Sequence, residues 1–245
     1  MIPKIIHYCW FGGKEIPNSA IKCIESWKKF CPDYEIIQWN ESNFNIDKYT
    51  YTKEAYENKK WAFVSDVARL DILYNHGGIY IDTDVELIKS LDSLIESKGF
   101  MGFEDKKQVA SGLGIGAEKG SPIIELMLND YNDCHFVKDT GELDLTPCPI
   151  RNTRCLVKKG LVPDGSYQEI EGFKFLPREI LAPKEATSGR LKYLTDETIS
   201  IHHYDASWQT PMFHKQKKIN YILGGRIGTK VTKFMVKLGI WEASL

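Results

Sequence analysis

Apolar and polar positions alternate along the chain with two periods, and their succession predicts an α/β arrangement. Ile2 to Tyr8 reads as a strand, and Ser19 to Phe30 as a helix with an apolar stripe of Ala20, Ile24 and Trp27, stopped by Cys31-Pro32. Tyr34 to Trp39 is a second strand. Trp61 to His76 has Phe63, Val64, Val67, Leu70 and Leu73 or Tyr74 at helical spacing and ends at Gly77-Gly78. A short strand running into Asp82 and Asp84 follows, then a short helix near Leu91, a strand over Gly99 to Glu104, a helix opening at Ser121-Pro122 and a late strand over Ile199 to Tyr204. Residues from about 133 to 190 are rich in turn formers, and the pattern does not order them.

The apolar run Tyr80-Ile81-Asp82-Thr83-Asp84-Val85 carries two carboxylates two residues apart. On a strand, such side chains share a face. Two like charges held together are costly unless a cation or a shared proton compensates them, and a divalent ion bridging carboxylates to phosphate oxygens is a common arrangement. Turns and solvated loops produce the same tripeptide. In the helix before it, Ser65, Asp66 and Arg69 lie on a polar side, with Asp66 and Arg69 one turn apart. That spacing fits a surface ion pair, or a polar side brought near the Asp pair by the double glycine.

Three ordered blocks resemble family 32 glycosyltransferases, which include yeast-type initiating mannosyltransferases and bacterial capsular polysaccharide enzymes, and also the catalytic domain of the large clostridial glucosylating toxins. They are Ile2-Pro3-Lys4-Ile5-Ile6-His7-Tyr8-Cys9-Trp10-Phe11-Gly12-Gly13, then Ser65-Asp66-Val67-Ala68-Arg69 with Gly77-Gly78-Ile79-Tyr80-Ile81-Asp82-Thr83-Asp84, then His202-His203-Tyr204-Asp205-Ala206-Ser207-Trp208. The resemblance implies a GT-A fold, a single Rossmann-like mixed sheet flanked by helices, over 1–212. It implies a retaining transferase that moves a hexose from a nucleotide-diphosphate sugar, UDP-linked by expectation, to a glycan or glycolipid acceptor in surface polysaccharide synthesis, with Mn²⁺ or Mg²⁺ as cofactor.

The same resemblance distributes roles. Trp10 is similar to the tryptophan that stacks on the base, against the alternative of a core aromatic, and Asn43 resembles a second base contact, against the alternative of a turn asparagine. Asp82 would reach sugar, ribose or the ion through water, and Asp84 would ligate the ion. Asp66 and Arg69 would hold sugar hydroxyls and diphosphate oxygens, a task suited to the fixed donor fork of arginine, with Ser65 and Tyr80 in the donor pocket. His203 is favoured over His202 as the C-terminal metal ligand because an aromatic follows it, and Trp208 would close over the phosphates. Replacing Asp82 or Asp84 by Asn should relieve repulsion and leave the melting temperature unchanged or slightly higher.

Composition adds exclusions. The formal net charge of −1 offers no global field for nucleic acid. Six cysteines without Cys-x-x-Cys or zinc spacing read as buried thiols of a reducing cytoplasm. Neither a secretory leader nor an apolar run of membrane-spanning length is expected. The glycine-dense Ser111-Gly112-Leu113-Gly114-Ile115-Gly116 lacks a dinucleotide-site context; it lets backbone approach a ligand or is a tight strand edge. Where relatives carry Thr or Ser-Gly-Pro, the chain reads Thr146-Pro147-Cys148-Pro149.

Residues 213–245 form a second segment, basic and amphipathic. From Lys215 onward seven Lys or Arg face the single acid Glu242, with Ile227, Val231, Phe234, Met235, Leu238 and Trp241 at helical spacing. This fits a helix lying on an anionic membrane, placing the chain in the cytoplasm at the inner membrane face, or a helix capping the core. Two other functions remain open. One is a haloacid-dehalogenase-like phosphatase, disfavoured by Glu86 four residues after Asp82; the other is a non-catalytic nucleotide-sugar or carbohydrate-binding relative.

Overall fold

A computed structural model describes residues 1–186 and 188–205 and, beyond them, positions 215, 218–222, 227, 230–231, 234–235 and 237. Trp208 and most of the segment 213–245 lie outside the described residues.

The opening strand β1 (Ile5–Cys9), helix α1 (Asn18–Phe30) and strand β2 (Glu35–Trp39) form a parallel β-α-β unit, with Ile6 opposite Ile36. Of the stripe expected on α1, Ala20 and Trp27 are buried and Ile24 is half-buried, with Cys23 buried beside them. Helix α2 (Thr50–Glu57), in a stretch whose pattern is polar, packs on α3 (Trp61–His76). Strands β3 (Gly78–Tyr80), β4 (Val85–Leu87), β5 (Gly99–Phe103) and β6 (Val109–Ala117) follow. Then come α4 (Pro122–Asn129), α5 (Cys148–Lys158), β7 (Gln168–Ile170), β8 (Phe173–Leu176), α6 (Arg178–Leu181) and β9 (Ser200–His202).

Seven strands make one mixed sheet in the order β2-β1-β3-β6-β5-β8-β7, with a separate antiparallel pair β4-β9. The expected class, a single mixed sheet flanked by helices, is what folds. One apolar cluster lies under α3, α4 and α5, and a second is built from α1, the β4 region and the turns around Leu91. The helix expected near Leu91 is absent: Leu91, Leu94 and Ile95 are buried from consecutive turns, one closed by Leu94 N–H to the Leu91 carbonyl at 2.9 Å.

Helix α3 is buried on more faces than its apolar stripe, because it lies on β1, β3 and β6 and is covered by α2 and α4. Asp66 and Arg69 are therefore interior, 8% and 3% exposed, and not a surface pair. Gly77 stops the helix at φ +70°, and Gly78 follows at φ +99° with no room for a Cβ, which would meet His7 Nε2 at 2.8 Å. This turn sends the chain straight into β3, so the polar residues of α3 and the Asp pair end beside each other.

Candidate donor and cation site

The Asp pair sits on a turn and not on a strand. Strand β3 ends at Tyr80, and Val85 N–H donates to the Asp82 carbonyl at 3.1 Å, so Asp82 to Val85 form a four-residue turn between β3 and β4. Strand alternation is interrupted there, and the shared orientation of the two carboxylates comes from the turn.

Asp82 is held from three sides. Its Oδ1 accepts from Arg69 NH2 at 3.1 Å and from the Tyr80 hydroxyl at 2.9 Å, and its Oδ2 lies over Gly112, where a Cβ would approach it to 2.2 Å. The glycine of β6 thus clears space for a carboxylate. Because β6 is flanked by β3 and β5, the glycine-rich stretch is not a sheet edge, and what its backbone closes on at Gly112 is the Asp82 carboxylate. Arg69 also pairs with Asp66 Oδ1 at 3.1 Å, donates to Ser111 Oγ at 3.1 Å and to the Ser65 carbonyl at 3.1 Å, and stacks 4.8 Å from the Tyr80 ring centroid. Burial raises the Asp66 and Asp82 pKa values, opposed in both by the Arg69 charge.

Asp84 has a different partner. The pairing of β4 with β9 puts Val85 opposite His202, and His202 Nε2 lies 3.0 Å from Asp84 Oδ1. The Asp205 N–H donates to Oδ2 at 2.8 Å, and the His203 N–H to the Asp84 carbonyl. Burial pushes the Asp84 carboxyl up, but the His202 charge, its hydrogen bond and the Asp205 N–H outweigh this and hold it well below the usual carboxylate range. The imidazole is raised in turn: burial lowers it, and the Asp84, Asp82 and Glu104 charges overcome that.

The expectation of His203 as the metal-side histidine is corrected. The two neighbours do face opposite ways, but His203 goes to Glu86 Oε2 at 2.9 Å and Lys184 Nζ at 3.1 Å. An aromatic at position 204 does not discriminate between them; strand register does. Tyr204, at φ +53°, stacks on His202, centroids 4.1 Å apart.

Asp82, Asp84 and His202 each offer a ligand atom within 4.8 Å of the others'. His202 Nδ1 is buried and has no hydrogen-bond partner among the described residues, so one nitrogen stays uncommitted whichever tautomer Asp84 selects. Two carboxylates and an imidazole suit a borderline ion such as Mn²⁺ better than Mg²⁺. The residues fit a divalent cation.

These groups line a cleft of about 670 Å³. Trp10, Ser65, Asp66, Arg69, Tyr80, Asp82 and Asp84 all line it. Trp10 is half-buried with Nε1 donating to the Lys14 carbonyl at 2.6 Å. Asn43 does not reach it: its amide caps the turn after β2, accepting from Asn40 N–H at 2.8 Å and donating to the Gln38 carbonyl at 2.9 Å. The turn alternative holds there, because Asx side chains close such turns on their own backbone.

Several lining residues escaped sequence reasoning. Trp61 lies against Gly12, whose Cβ would sit 2.5 Å from the ring. Cys148, at the start of α5, puts its thiol 3.6 Å from Arg69 NH1 and 3.7 Å from Ser111 Oγ, and burial keeps it protonated. Glu104, just past β5, presents a carboxyl that burial raises. The Pro-Cys-Pro departure from the relatives' motif was the one signal for Cys148; Trp61 and Glu104 carried none, since only the three-dimensional cleft joins them to the Asp pair.

Residues 17–101 match the family model described as a glycosyltransferase sugar-binding region containing a DXD motif. Among curated proteins, inositol phosphoceramide mannosyltransferase 3 of Schizosaccharomyces pombe is 31% identical over 127 residues, covering 50% of this chain and 35% of that protein. Inositol phosphoceramide mannosyltransferase 2 of the same yeast is 31% identical over 134 residues, covering 53% of this chain and 38% of that protein. The chain thus spans a little over a third of the length of these relatives. Among solved structures, the PaToxG glycosyltransferase is 24% identical with a TM-score of 0.47, covering 65% of this chain and 70% of that one. Asp66, Arg69, Asp82 and Asp84 all fall inside the matched region, so the stretch that carries the Asp pair and its arginine is the part of the chain that is similar to a DXD-containing sugar-binding region.

Proposed function

We propose that this chain transfers a hexose from a nucleotide-diphosphate sugar to a glycan or lipid acceptor, dependent on a divalent cation. The observation that carries the reading is the convergence of Asp82, Asp84 and His202 beside a buried Arg69 in one cleft. A bound cation would supply charge compensation for the departing diphosphate. The chain's own residues do the rest. Arg69, fixed by Asp66, Asp82 and Ser111, offers a rigid donor fork to diphosphate oxygens or sugar hydroxyls. Trp10 and Trp61 give the cleft aromatic surface suited to a base.

UDP-hexose remains the first donor to test, with retention at the anomeric carbon. The names of the relatives bring mannose as the sugar and inositol phosphoceramide as an acceptor into the same panel. The Asp82 Oδ1, which accepts from Arg69 and from the Tyr80 hydroxyl, is drawn toward these donors, an arrangement that favours holding a charge over attacking phosphorus.

A membrane role for residues 213–245 belongs to this proposal. Among the described positions there, Tyr221, Ile222, Ile227 and Phe234 are exposed apolar side chains, as an in-plane helix on anionic lipid requires. Work at the cytoplasmic membrane face in surface polysaccharide synthesis fits such a tail.

The test is a thermal-shift and donor-hydrolysis panel of UDP- and GDP-hexoses with Mn²⁺, Mg²⁺ or chelator, with simple phosphomonoesters alongside. Cation-dependent stabilisation and hydrolysis by one nucleotide sugar is expected. Full turnover in chelator, or cleavage of phosphomonoesters alone, would overturn the proposal; binding without any turnover would establish the non-catalytic relative.

A further inference from the structure

At the end of the sheet opposite the cleft, where β5 begins and β6 ends, a second cavity of about 240 Å³ is lined by Lys98, Lys119, Gly120, Ser121 and the start of α4. Ser121 is the N-cap of α4 and is 7% exposed, yet its hydroxyl caps nothing and has no hydrogen-bond partner among the described residues. A serine at this position ordinarily accepts from the second or third helical N–H. Here the hydroxyl stays uncommitted inside the cavity wall, and the backbone N–H groups of Ile123 and Ile124 have no partner among the described residues either.

The charges point the same way. Lys98 and Lys119 make no ion pair among the described residues, and the Lys98 stem is laid over Gly172, with Cδ 2.9 Å from where a Cβ would stand. The two acids on the rim are occupied: Glu118 pairs with the Met1 nitrogen, and Glu171 with Lys159 at 2.9 Å. Two exposed lysines, the hydroxyl of a buried serine and a helix N-terminus therefore line one hollow whose two carboxylates, Glu118 and Glu171, are each paired with another cation.

We propose that this cavity is an oxyanion site for phosphate or a phosphomonoester. A helix N-terminus favours negative charge, and its free N–H groups donate to it. Ser121 adds a hydroxyl donor with no competing partner among the described residues, and the lysines act as point charges on a group of this class. The site is independent of the cleft, which lies at the other ends of β5 and β6.

The test follows backbone amides of the full chain by NMR, in chelator and at constant ionic strength, during titration with orthophosphate. Saturable shifts at Gly120, Ser121 and Ile123 are expected, about tenfold weaker in affinity in Lys98→Gln/Lys119→Gln and weakened in Ser121→Ala. Flotation then distinguishes the sources, using phosphatidylcholine vesicles carrying phosphatidic acid or phosphatidylserine at equal charge. Preference for phosphatidic acid that the double variant loses assigns a lipid headgroup; saturable phosphate binding without that preference assigns a soluble phosphomonoester. Unsaturable shifts, shifts confined to cleft residues, or shifts unchanged in both variants would overturn the site.

Discussion

Gly112 and Asp82 occupy the same space in the sense that matters for substitution: a Cβ on Gly112 would stand 2.2 Å from Asp82 Oδ2 and 3.4 Å from Arg69 NH1. The backbone of β6 therefore sets where the first carboxylate of the pair can lie. Its φ lies outside the left-handed region, so a side chain there clashes with the carboxylate and only touches Arg69. Gly112→Ala should keep the fold and displace Asp82 by an ångström or so, a shift that costs on the order of a hundredfold in turnover. Donor hydrolysis and circular dichroism on the purified variant check this. Wild-type turnover would mean that Asp82 position is not critical.

The two carboxylates carry stabilising pairs, which reverses the expectation of relief on neutralisation. Asp82→Asn leaves Arg69, 3% exposed, with Asp66 as its remaining carboxylate, and Asp84→Asn removes the charge facing His202. Each loses a charge-assisted hydrogen bond worth roughly 1–3 kcal/mol. Both variants should melt several degrees lower and lose Mn²⁺ binding. Calorimetry and Mn²⁺ titration measure the two effects, and a raised melting temperature in either would restore the repulsion picture.

The strands and helices of the first 130 residues were largely legible because their periods are undisturbed: α3 falls on its expected limits, and Gly77-Gly78 ends it as two positive-φ positions should. Asp66, Arg69, Asp82 and Asp84 were legible as a group through the short path from α3 to the turn. What failed depends on long-range register. Whether His202 or His203 faces Asp84 is decided by pairing β4 with β9 across more than a hundred residues, and no local pattern encodes that choice. Helix α5 was hidden because its start, Pro147-Cys148-Pro149, reads as a turn, although proline in the first helical turn is tolerated.

Cation binding should strengthen as pH rises. Without a cation, the Asp84, Asp82 and Glu104 charges raise His202 above its usual 6.5 despite burial, which favours the protonated ring. A ligating imidazole must be neutral, so binding releases that proton. Apparent Mn²⁺ affinity should climb up to tenfold per pH unit from pH 5.5 and level off above the raised imidazole value. His202→Ala should bind more weakly and lose most of the slope. Affinity flat with pH in the wild type, or a slope that survives in His202→Ala, would remove His202 from the ligand set.

His7 makes the fold itself acid-sensitive, away from the cleft. It is fully buried, with Nδ1 accepting from Trp39 Nε1 at 3.1 Å and Nε2 donating to the Gly77 carbonyl at 2.9 Å, so both nitrogens are satisfied by the neutral ring. Burial lowers its pKa from 6.5 to about 4, against the bond to Gly77 and with a small push from His76. The unfolded chain therefore takes up a proton that the folded chain refuses between those values. Stability should be constant above pH 6.5 and fall as pH drops towards 4, by on the order of 3 kcal/mol from this residue. Added protons would also set the two N–H groups of His7 and Trp39 against each other and loosen the turn that carries α3 into β3. Urea unfolding from pH 7.5 to 4.5 gives the slope, and His7→Gln, less stable at neutral pH, should lose about one proton of it. An unchanged slope in that variant would assign the acid sensitivity to other groups.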